Sequence, residues 1–549
     1  MTFTYDASAY RTYFEHEFTY LAGFRRNVHR YARRTAMTDP ATTTSWTYAE
    51  LGARVDALAA GLAQAGVAPG DVVLHQLFNS PEFAQLYLAT QACGAVGAPV
   101  NFRLAAGETA HVVDDSEPTV VVYDTALTDT VAEALARARH RPALLVAVGE
   151  GDPLPGAIRL DDLAVEGATP PPVTRTVYDE TTRLYTSGTT GMPKGVPLNS
   201  LVEVFSAHDV IMHFPLAPED RTLNMTPWFH RGGLYSGGPN PVFYLGAEVV
   251  PLRAFDPDRV LDLVAEHGLT YLIGAPTNLA MLARAQTAAP RDLSTLRGIV
   301  TMGSALEREA CLRYQEVLTP RIFNGYGTTE SFWNTFLRPD DLPEHAGAAG
   351  RACTDDDVRV VRVLDDRLAG PDEPVAQDGT EVGEIIIRSP KAGYAYVNSP
   401  QQEAEKFHDG WIHVGDLATW DADEYVTIVG RKDDMLISGG ENVHPIQVEE
   451  AINAHAGVAD SLVVGVPDER WGQRVVAYVV REDPDLTAAD LEAHCRGHAV
   501  LASYKRPWAY RFVDGLPLTA TGKKVHYKAQ AQAAEDDAAG LFESVRTER

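Results

Sequence analysis

The chain has few cysteines. Cys93, Cys311, Cys353 and Cys495 are widely separated among 549 residues and form no C-x-x-C pair. That usage excludes a disulfide framework and fits buried thiols in a reducing compartment. Long apolar runs are missing too: no stretch of about eighteen apolar residues occurs, so no membrane span is expected. Positive charge is in deficit, with 47 Lys and Arg against 75 Asp and Glu, a formal net charge of −28. No concentrated basic stripe is expected, and such an acidic surface repels nucleic acid backbones and anionic membranes. It does not exclude an ATP site, because local charge decides that. The start, Met1-Thr2-Phe3-Thr4-Tyr5-Asp6, lacks the basic-then-apolar layout of a secretory signal, so a cytoplasmic location is expected.

Too long for one core, the chain predicts about two to four units. Residues 48–65 place Leu51, Val55, Leu58 and Leu62 at helical spacing and end at Gly66. Val72-Val73-Leu74 reads as a strand, 82–92 as a helix and 95–100 as the next strand. Strands alternating with helices imply a parallel, doubly wound sheet. The alternation returns near 119–145, 248–274 and 295–325. From about 347 to 430 short strands and turns take over, as in Glu384-Ile385-Ile386-Ile387-Arg388, predicting a small β subdomain. A final unit follows Arg431, with a helix over 445–455 and strands over 459–466 and 474–480. Segments 166–176 and 366–380 read as linkers, and 531–549 as a helical or frayed end.

What is abundant is a run of small hydroxyl and glycine residues. Tyr185-Thr186-Ser187-Gly188-Thr189-Thr190-Gly191-Met192-Pro193-Lys194-Gly195-Val196 packs four hydroxyls, three glycines and one lysine into a dozen residues. Glycines let backbone N–H groups approach a ligand, and hydroxyls with N–H groups can wrap anionic oxygens. The run therefore reads as a phosphate cradle. It is not a P-loop, since Gly195 follows the lysine where Ser or Thr should stand. Four further strings accompany it: Asn324-Gly325-Tyr326-Gly327-Thr328-Thr329-Glu330, Trp411-Ile412-His413-Val414-Gly415-Asp416, Gly430-Arg431-Lys432-Asp433, and Leu516-Pro517-Leu518-Thr519-Ala520-Thr521-Gly522-Lys523. Together they resemble the adenylate-forming enzymes: acyl- and aryl-CoA ligases, luciferase relatives and peptide-synthetase adenylation domains. The resemblance runs from about Trp46 to about Lys528.

The resemblance implies an α/β fold. A large N-terminal domain of doubly wound subdomains plus the small β subdomain would span 1–431. Residues 432–433 would be a hinge, and 434–549 a mobile α+β C-terminal domain. It also implies roles. Thr186, Ser187, Gly188, Thr189, Thr190 and Lys194 would hold the β- and γ-phosphates of ATP. Tyr326 would offer a face to adenine, with Asn324, Gly325, Gly303 and Ser304 beside it. Thr328 would meet the α-phosphate, and Glu330 would hold Mg²⁺, which prefers one or two carboxylates plus phosphate oxygens. Asp416 would accept from both ribose hydroxyls, with Arg431 as a second ribose contact. Val414 stands where relatives usually have Thr, and Ser200 where they commonly have His. Lys523 would bridge the substrate carboxylate and the α-phosphate, stabilising charge that builds in the transition state. The catalytic set is thus Lys523, His230, Glu330 and Thr328. Asp433 falls at the hinge, and Ser438, Gly439 and Gly440 face the thiol channel in the second pose.

The acid pocket is expected around Trp228, His230, Arg231, Gly232 and Gly233, with Gly327, Phe332 and Trp333. Arg231 would repel an α-amino group and permit a second carbonyl, hydroxyl or carboxylate on the substrate. Gly232-Gly233 and Gly237-Gly238 would leave room for a bulky aryl or alicyclic acid. The expected activity is an ATP-dependent acyl-CoA ligase. The acceptor is coenzyme A, with a carrier-protein phosphopantetheine or another nucleophile as the rival, and a non-catalytic nucleotide-binding relative as a remote one. A homodimer stays open. His494 and His498 lack further metal ligands, and Asp355-Asp356-Asp357 reads as a solvated turn.

Overall fold

In the computed structural model, residues 7–187, 192–364, 366–438, 441–468, 471–498, 501, 503–519 and 522–546 are described. The first sheet has seven strands, in the order Ile158–Arg159, Leu144–Val148, Val120–Asp124, Val72–Gln76, Val96–Pro99, Glu180–Ser187 and Pro193–Asn199. Its strands are parallel except the last pair, a hairpin. A nine-stranded sheet has a parallel centre of Glu248–Val249, Arg221–Asn224, Tyr271–Gly274, Gly298–Met302 and Ile322–Thr328. Antiparallel strands then extend it through Phe332–Leu337. The expected α/β architecture is the one observed.

Local chemistry explains the elements that sequence could foresee. The helix Tyr48–Gln64 opens with a reciprocal cap: Thr47 Oγ1 accepts from Glu50 N at 3.2 Å, and Thr47 N donates to Glu50 Oε2 at 2.8 Å. Past its end Gly66 takes a positive φ of 93°, which a glycine adopts freely. Pro81–Ala92 starts on Ser80, whose hydroxyl accepts from Phe83 N. The β subdomain predicted over 347–430 is a five-stranded antiparallel sheet, including Gly383–Arg388, Trp411–Trp420 and Val426–Arg431. A fourth sheet of six strands uses residues after Arg431 alone, with the long hairpin Val458–Asp468 and Gly472–Arg481 at its centre. The tail contributes more than a frayed end. After the helix His526–Ala538, Glu543–Ser544 adds an edge strand beside Ala509–Phe512.

Arg25, Arg26, His29 and Arg30 line one surface hollow with His16 and Glu17, and Arg25 is paired with Asp56, so this cluster is partly neutralised. One expectation needs correction: Asp356 is not part of a solvated turn. Its side chain is fully buried and pairs with Lys391 Nζ at 2.9 Å. The same ammonium reaches Asp209 Oδ2 at 2.8 Å and Trp333 O at 2.7 Å. Burial alone would lower the Lys391 ammonium, but Cys353, Asp209 and Asp356 around it hold it above its ordinary value. Asp209, His213 and Cys353 are the one three-residue group with metal-ligand spacing among the described residues, and Lys391 already supplies a cation there. All four cysteines are buried and free.

Removing one member of this buried network strands the others. Lys391→Met should therefore destabilise the N-terminal part by about 3–5 kcal/mol, read as a lowered first transition in urea unfolding. An unchanged midpoint would refute the network's structural role.

Candidate functional site

The described part of the run expected to cradle phosphate lies at the ends of the paired strands Glu180–Ser187 and Pro193–Asn199, with Thr186 opposite Lys194 and Ser187 opposite Pro193. The expected contacts at Gly188, Thr189 and Thr190 lie outside the described residues, as does the Ser187 side chain. The hairpin's base is anchored from below. Glu203, fully buried on the helix Ser200–His213, accepts from Thr182 Oγ1 at 2.6 Å, Thr181 Oγ1 at 3.1 Å and Asn240 Nδ2 at 2.9 Å. Ser200, the departure noted in the sequence, accepts Tyr20 N–H at 2.8 Å and is buried, so it serves packing. Beside the hairpin, Val397 N donates to Gly195 O at 2.9 Å, which seats Tyr396 next to Lys194. The Lys194 Nζ lies 5.7 Å from the Tyr396 ring centroid.

Three motifs meet at Asp416. Tyr326 donates its hydroxyl to Asp416 Oδ2 at 2.6 Å, and Arg431 Nη1 donates to Oδ1 at 2.9 Å. Asp416 and Arg431 face each other on paired strands of the β subdomain, and Tyr326 arrives from the nine-stranded sheet. Val414 is 1% exposed in the core of that subdomain. Asp433 follows Arg431 on an exposed turn between the strand Val426–Arg431 and the strand Leu436–Ser438.

Glu330 is buried beside this group. Its Oε1 accepts from the Tyr396 hydroxyl and from Lys406 Nζ at 3.2 Å. Burial would raise its carboxyl, but the Lys406 ammonium and the Tyr396 hydroxyl hold it at about 2. Glu330 is therefore an anion whenever a cation could bind, and this donor fits Mg²⁺. Thr328 Oγ1 lies 3.1 Å from Ser331 Oγ at the same turn.

Lys523 comes from the far end of the chain. Thr519 and Lys523 close a turn, with Thr519 N to Lys523 O at 2.7 Å and Lys523 N to Thr519 Oγ1 at 3.0 Å. Gly522, at φ 80°, lies so close to Thr277 that a Cβ there would sit 2.6 Å from its hydroxyl. Likewise Lys523 Cε lies 3.4 Å from where a Cβ on Gly303 would stand. The ammonium thus enters the cleft. Loss of hydration holds it below its ordinary value; Asp416 and Glu330 offset this only in part, and Arg431 adds to the lowering. His230 faces the same space. Burial, with Lys523 and Arg103 near, lowers its ring to about 3, so the imidazole is neutral. Arg284 to Glu482 at 2.6 Å and Asn453 to Glu307 at 3.0 Å tie the last sheet to the rest in this pose.

The acid pocket departs most from expectation. Arg231 does not point a charge at a substrate. It is 3% exposed and donates to Thr329 O at 2.7 Å and Lys391 O at 2.9 Å. Three glycines expected to make room lie against the protein itself: a Cβ would stand 1.9 Å from Pro227 O at Gly233, 2.7 Å from Ile273 at Gly237, and 2.0 Å from Gly233 O at Gly238. At Gly232 a Cβ would stand 3.0 Å from the Met302 sulfur. Trp228 is fully buried, packs against Phe83 and belongs to the core. Phe332 and Trp333 stack on each other, each 2% exposed, and the Trp333 ring occupies the space over Gly325. Gly327 closes a hairpin so tight that a Cβ would meet Phe332 O. Asn324, 4% exposed, donates to Ala348 O below the cleft. Gly303 and Ser304 are exposed to the cleft. Ser438 is buried on its strand, and Gly439 and Gly440 lie outside the described residues. Tyr396 and Lys406, both at the site, were missed; a lone Tyr and a helix-end Lys carry no pattern.

Packing this close makes a contrast testable. Gly233→Ala should cost about 3 kcal/mol because backbone blocks it. Gly232→Ala should cost under about 1 kcal/mol because the flexible Met302 thioether can yield. Thermal unfolding of the two variants checks the difference, and equal losses would refute it.

Comparison with known proteins agrees with this geometry. The sequence matches the AMP-binding enzyme family over residues 24–397 and the AMP-binding enzyme C-terminal domain over 447–523. A feruloyl-CoA synthase of Amycolatopsis sp. is 36% identical over 500 residues, covering 89% of this chain and 96% of its own. The anthranilate CoA ligase AuaEII, solved with anthranoyl-AMP, superposes with a TM-score of 0.85 at 25% identity, covering 95% of this chain and 98% of that one. ATP-bound MatB from Rhodopseudomonas palustris gives 0.83 at 28% identity, covering 94% and 99%. The chain therefore belongs to the adenylate-forming enzymes and, within them, to the AMP-forming acid–CoA ligases.

Proposed function

We propose that the protein activates an apolar, ring-bearing carboxylic acid with ATP and transfers the acyl group to coenzyme A. The observation that carries the reading is the entry of Lys523 beside Gly303, in a cleft shared with His230, Asp416 and Glu330. Those residues lie in five separated motifs, and only a reaction joining a carboxylate to a nucleotide uses them all. The acid's character follows from the wall: Met302, Phe229 and a neutral imidazole suit an uncharged body. The likeness to ligases named for ferulate and anthranilate supports a ring.

In the first half-reaction, a carboxylate oxygen attacks the α-phosphorus of ATP and pyrophosphate leaves, giving acyl-AMP. Lys523 steadies the carboxylate and the α-phosphate as charge gathers between them. Thr328 donates to the α-phosphate, and Asp416, backed by Arg431, orients the ribose. Thr186 and Lys194 face the outer phosphates. Glu330 would hold Mg²⁺, which when bound neutralises phosphate charge. In the second half-reaction, a thiolate displaces AMP from the acyl carbon. Residues 1–431 and 434–549 act as two domains, and rotation at 432–433 withdraws Lys523 and brings the Ser438–Gly440 face to the thiol path.

Incubating aryl, alicyclic and fatty acids with ATP and Mg²⁺, with and without coenzyme A, tests this directly. AMP and a CoA thioester from the ring-bearing acids are expected. Acyl-AMP without thioester would shift the acceptor to a carrier protein or another nucleophile. Lys523→Ala should lower acyl-AMP formation by about 100-fold or more while sparing thioester formation from supplied acyl-AMP. Asp433→Pro should do the reverse, because proline fixes one φ at the hinge. Full adenylation by the first variant, or normal thioester turnover by the second, would overturn its role.

A further inference from the structure

A second lysine stands beside the phosphate cradle. Lys406 ends the helix Pro400–Lys406, and its Nζ lies 3.2 Å from Glu330 Oε1. Its side chain is 23% exposed, against 7% for Glu330. The Tyr396 hydroxyl shares that oxygen, and Lys194 sits over the Tyr396 ring. Lys194, Tyr396, Glu330 and Lys406 thus form a continuous row along the phosphate side of the cleft. Burial and then the Lys406 charge push the Lys194 ammonium below its ordinary value, so the two lysines feel each other.

The charges in this row do not balance. Four cations, Lys194, Lys406, Lys523 and Arg431, face three carboxylates: Asp416, which pairs with Arg431 and also acts on Lys523, Glu330, which pairs with Lys406, and Glu405, which acts on Lys194. Cations held together in a partly dry cleft repel, and a polyanion relieves that repulsion. Lys406 is also the most easily moved partner of Glu330. It is a partly exposed point charge on a flexible stem at a helix end, whereas Tyr396 is fixed by the hydrogen bond of Val397 to the hairpin.

Building on the ATP site assigned above, we propose that Lys406 is a second phosphate-binding lysine. In the empty cleft it is the counter-ion of Glu330. When ATP arrives, it exchanges the carboxylate for the outer phosphate oxygens and remains with pyrophosphate until that leaves. The exchange also opens one lone pair of Glu330 Oε1, which the Tyr396 hydroxyl and the Lys406 ammonium otherwise occupy together.

Titration calorimetry on the full-length protein tests this with three probes: ATP with Mg²⁺, inorganic pyrophosphate with Mg²⁺, and AMP. Lys406→Met should weaken ATP and pyrophosphate by about tenfold, the value of one charge-assisted hydrogen bond. AMP, which lacks the outer phosphates, should bind within about twofold of wild type. Lys406→Arg should restore most of the loss, because the charge returns. Lys406→Gln, which can still hydrogen-bond Glu330, should fold and show the same ATP-against-AMP split. Equal losses for AMP and ATP would make Lys406 a structural counter-ion and overturn the proposal, as would unchanged ATP and pyrophosphate affinity. A wild-type protein that binds neither nucleotide would instead overturn the ATP site itself.

Discussion

The Asp416 carboxylate is the joint on which the cleft depends. It holds Tyr326 from the nine-stranded sheet and Arg431 from the neighbouring strand, immediately before the hinge turn. A hydrogen bond to an ionised oxygen is stronger and more directional than one between neutral groups, so two of them fix three elements at once. With Asp416 in place, Tyr326 and Arg431 are held in one fixed arrangement. The start of the C-terminal sheet is set at a defined distance, from which the Thr519–Lys523 turn reaches Gly303.

Beneath this joint lies a rigid ionic floor. Lys391 with Asp209 and Asp356, Arg231 with its backbone carbonyls, and Glu203 with its threonines and Asn240 are all deeply buried. Burying charge is costly unless the groups find partners; here every charged group has at least one, with only Arg231 Nε and Asp356 Oδ1 among their charged atoms left without a hydrogen bond. The floor meets the site through Trp333 O, held by Lys391, and through Thr329 O, held by Arg231. Both carbonyls flank Glu330 in sequence, so the floor positions the turn that carries this carboxylate.

Above the joint the groups are looser and their charges less compensated. Lys194, Lys406 and Lys523 approach from a hairpin, a short helix and a separate sheet. That division suits a reaction with two acceptors in turn. The nucleotide grip must be exact, whereas the lysines must release pyrophosphate and then withdraw. The whole chain carries a net charge of −28, so the cations gathered in the cleft are a local departure from the overall balance.

The motifs at 185–196, 324–330, 411–416, 430–433 and 516–523 were legible in the sequence because backbone-driven function leaves a local signature: glycines at tight turns, hydroxyls around phosphate, one fixed charge. The helix 48–64 and the central strands were legible for the same reason, since caps and periodicity act over a few residues. What sequence could not decide was which side chains would already be spent. Arg231 was expected to greet a substrate, yet it donates to carbonyls some 100 and 160 residues away in the chain. Gly233 and Gly238 were expected to open space, yet the backbone of their own loop fills it. Lys406 and Tyr396 carry no motif and gain meaning only when Glu330 lies between them. The sequence by itself determined the family and the fold class, because these are encoded by short strings and local periodicity. The tertiary structure alone decided the pocket's shape and the pairing of its charges, because packing and Coulomb energy depend on distances between residues far apart in the chain.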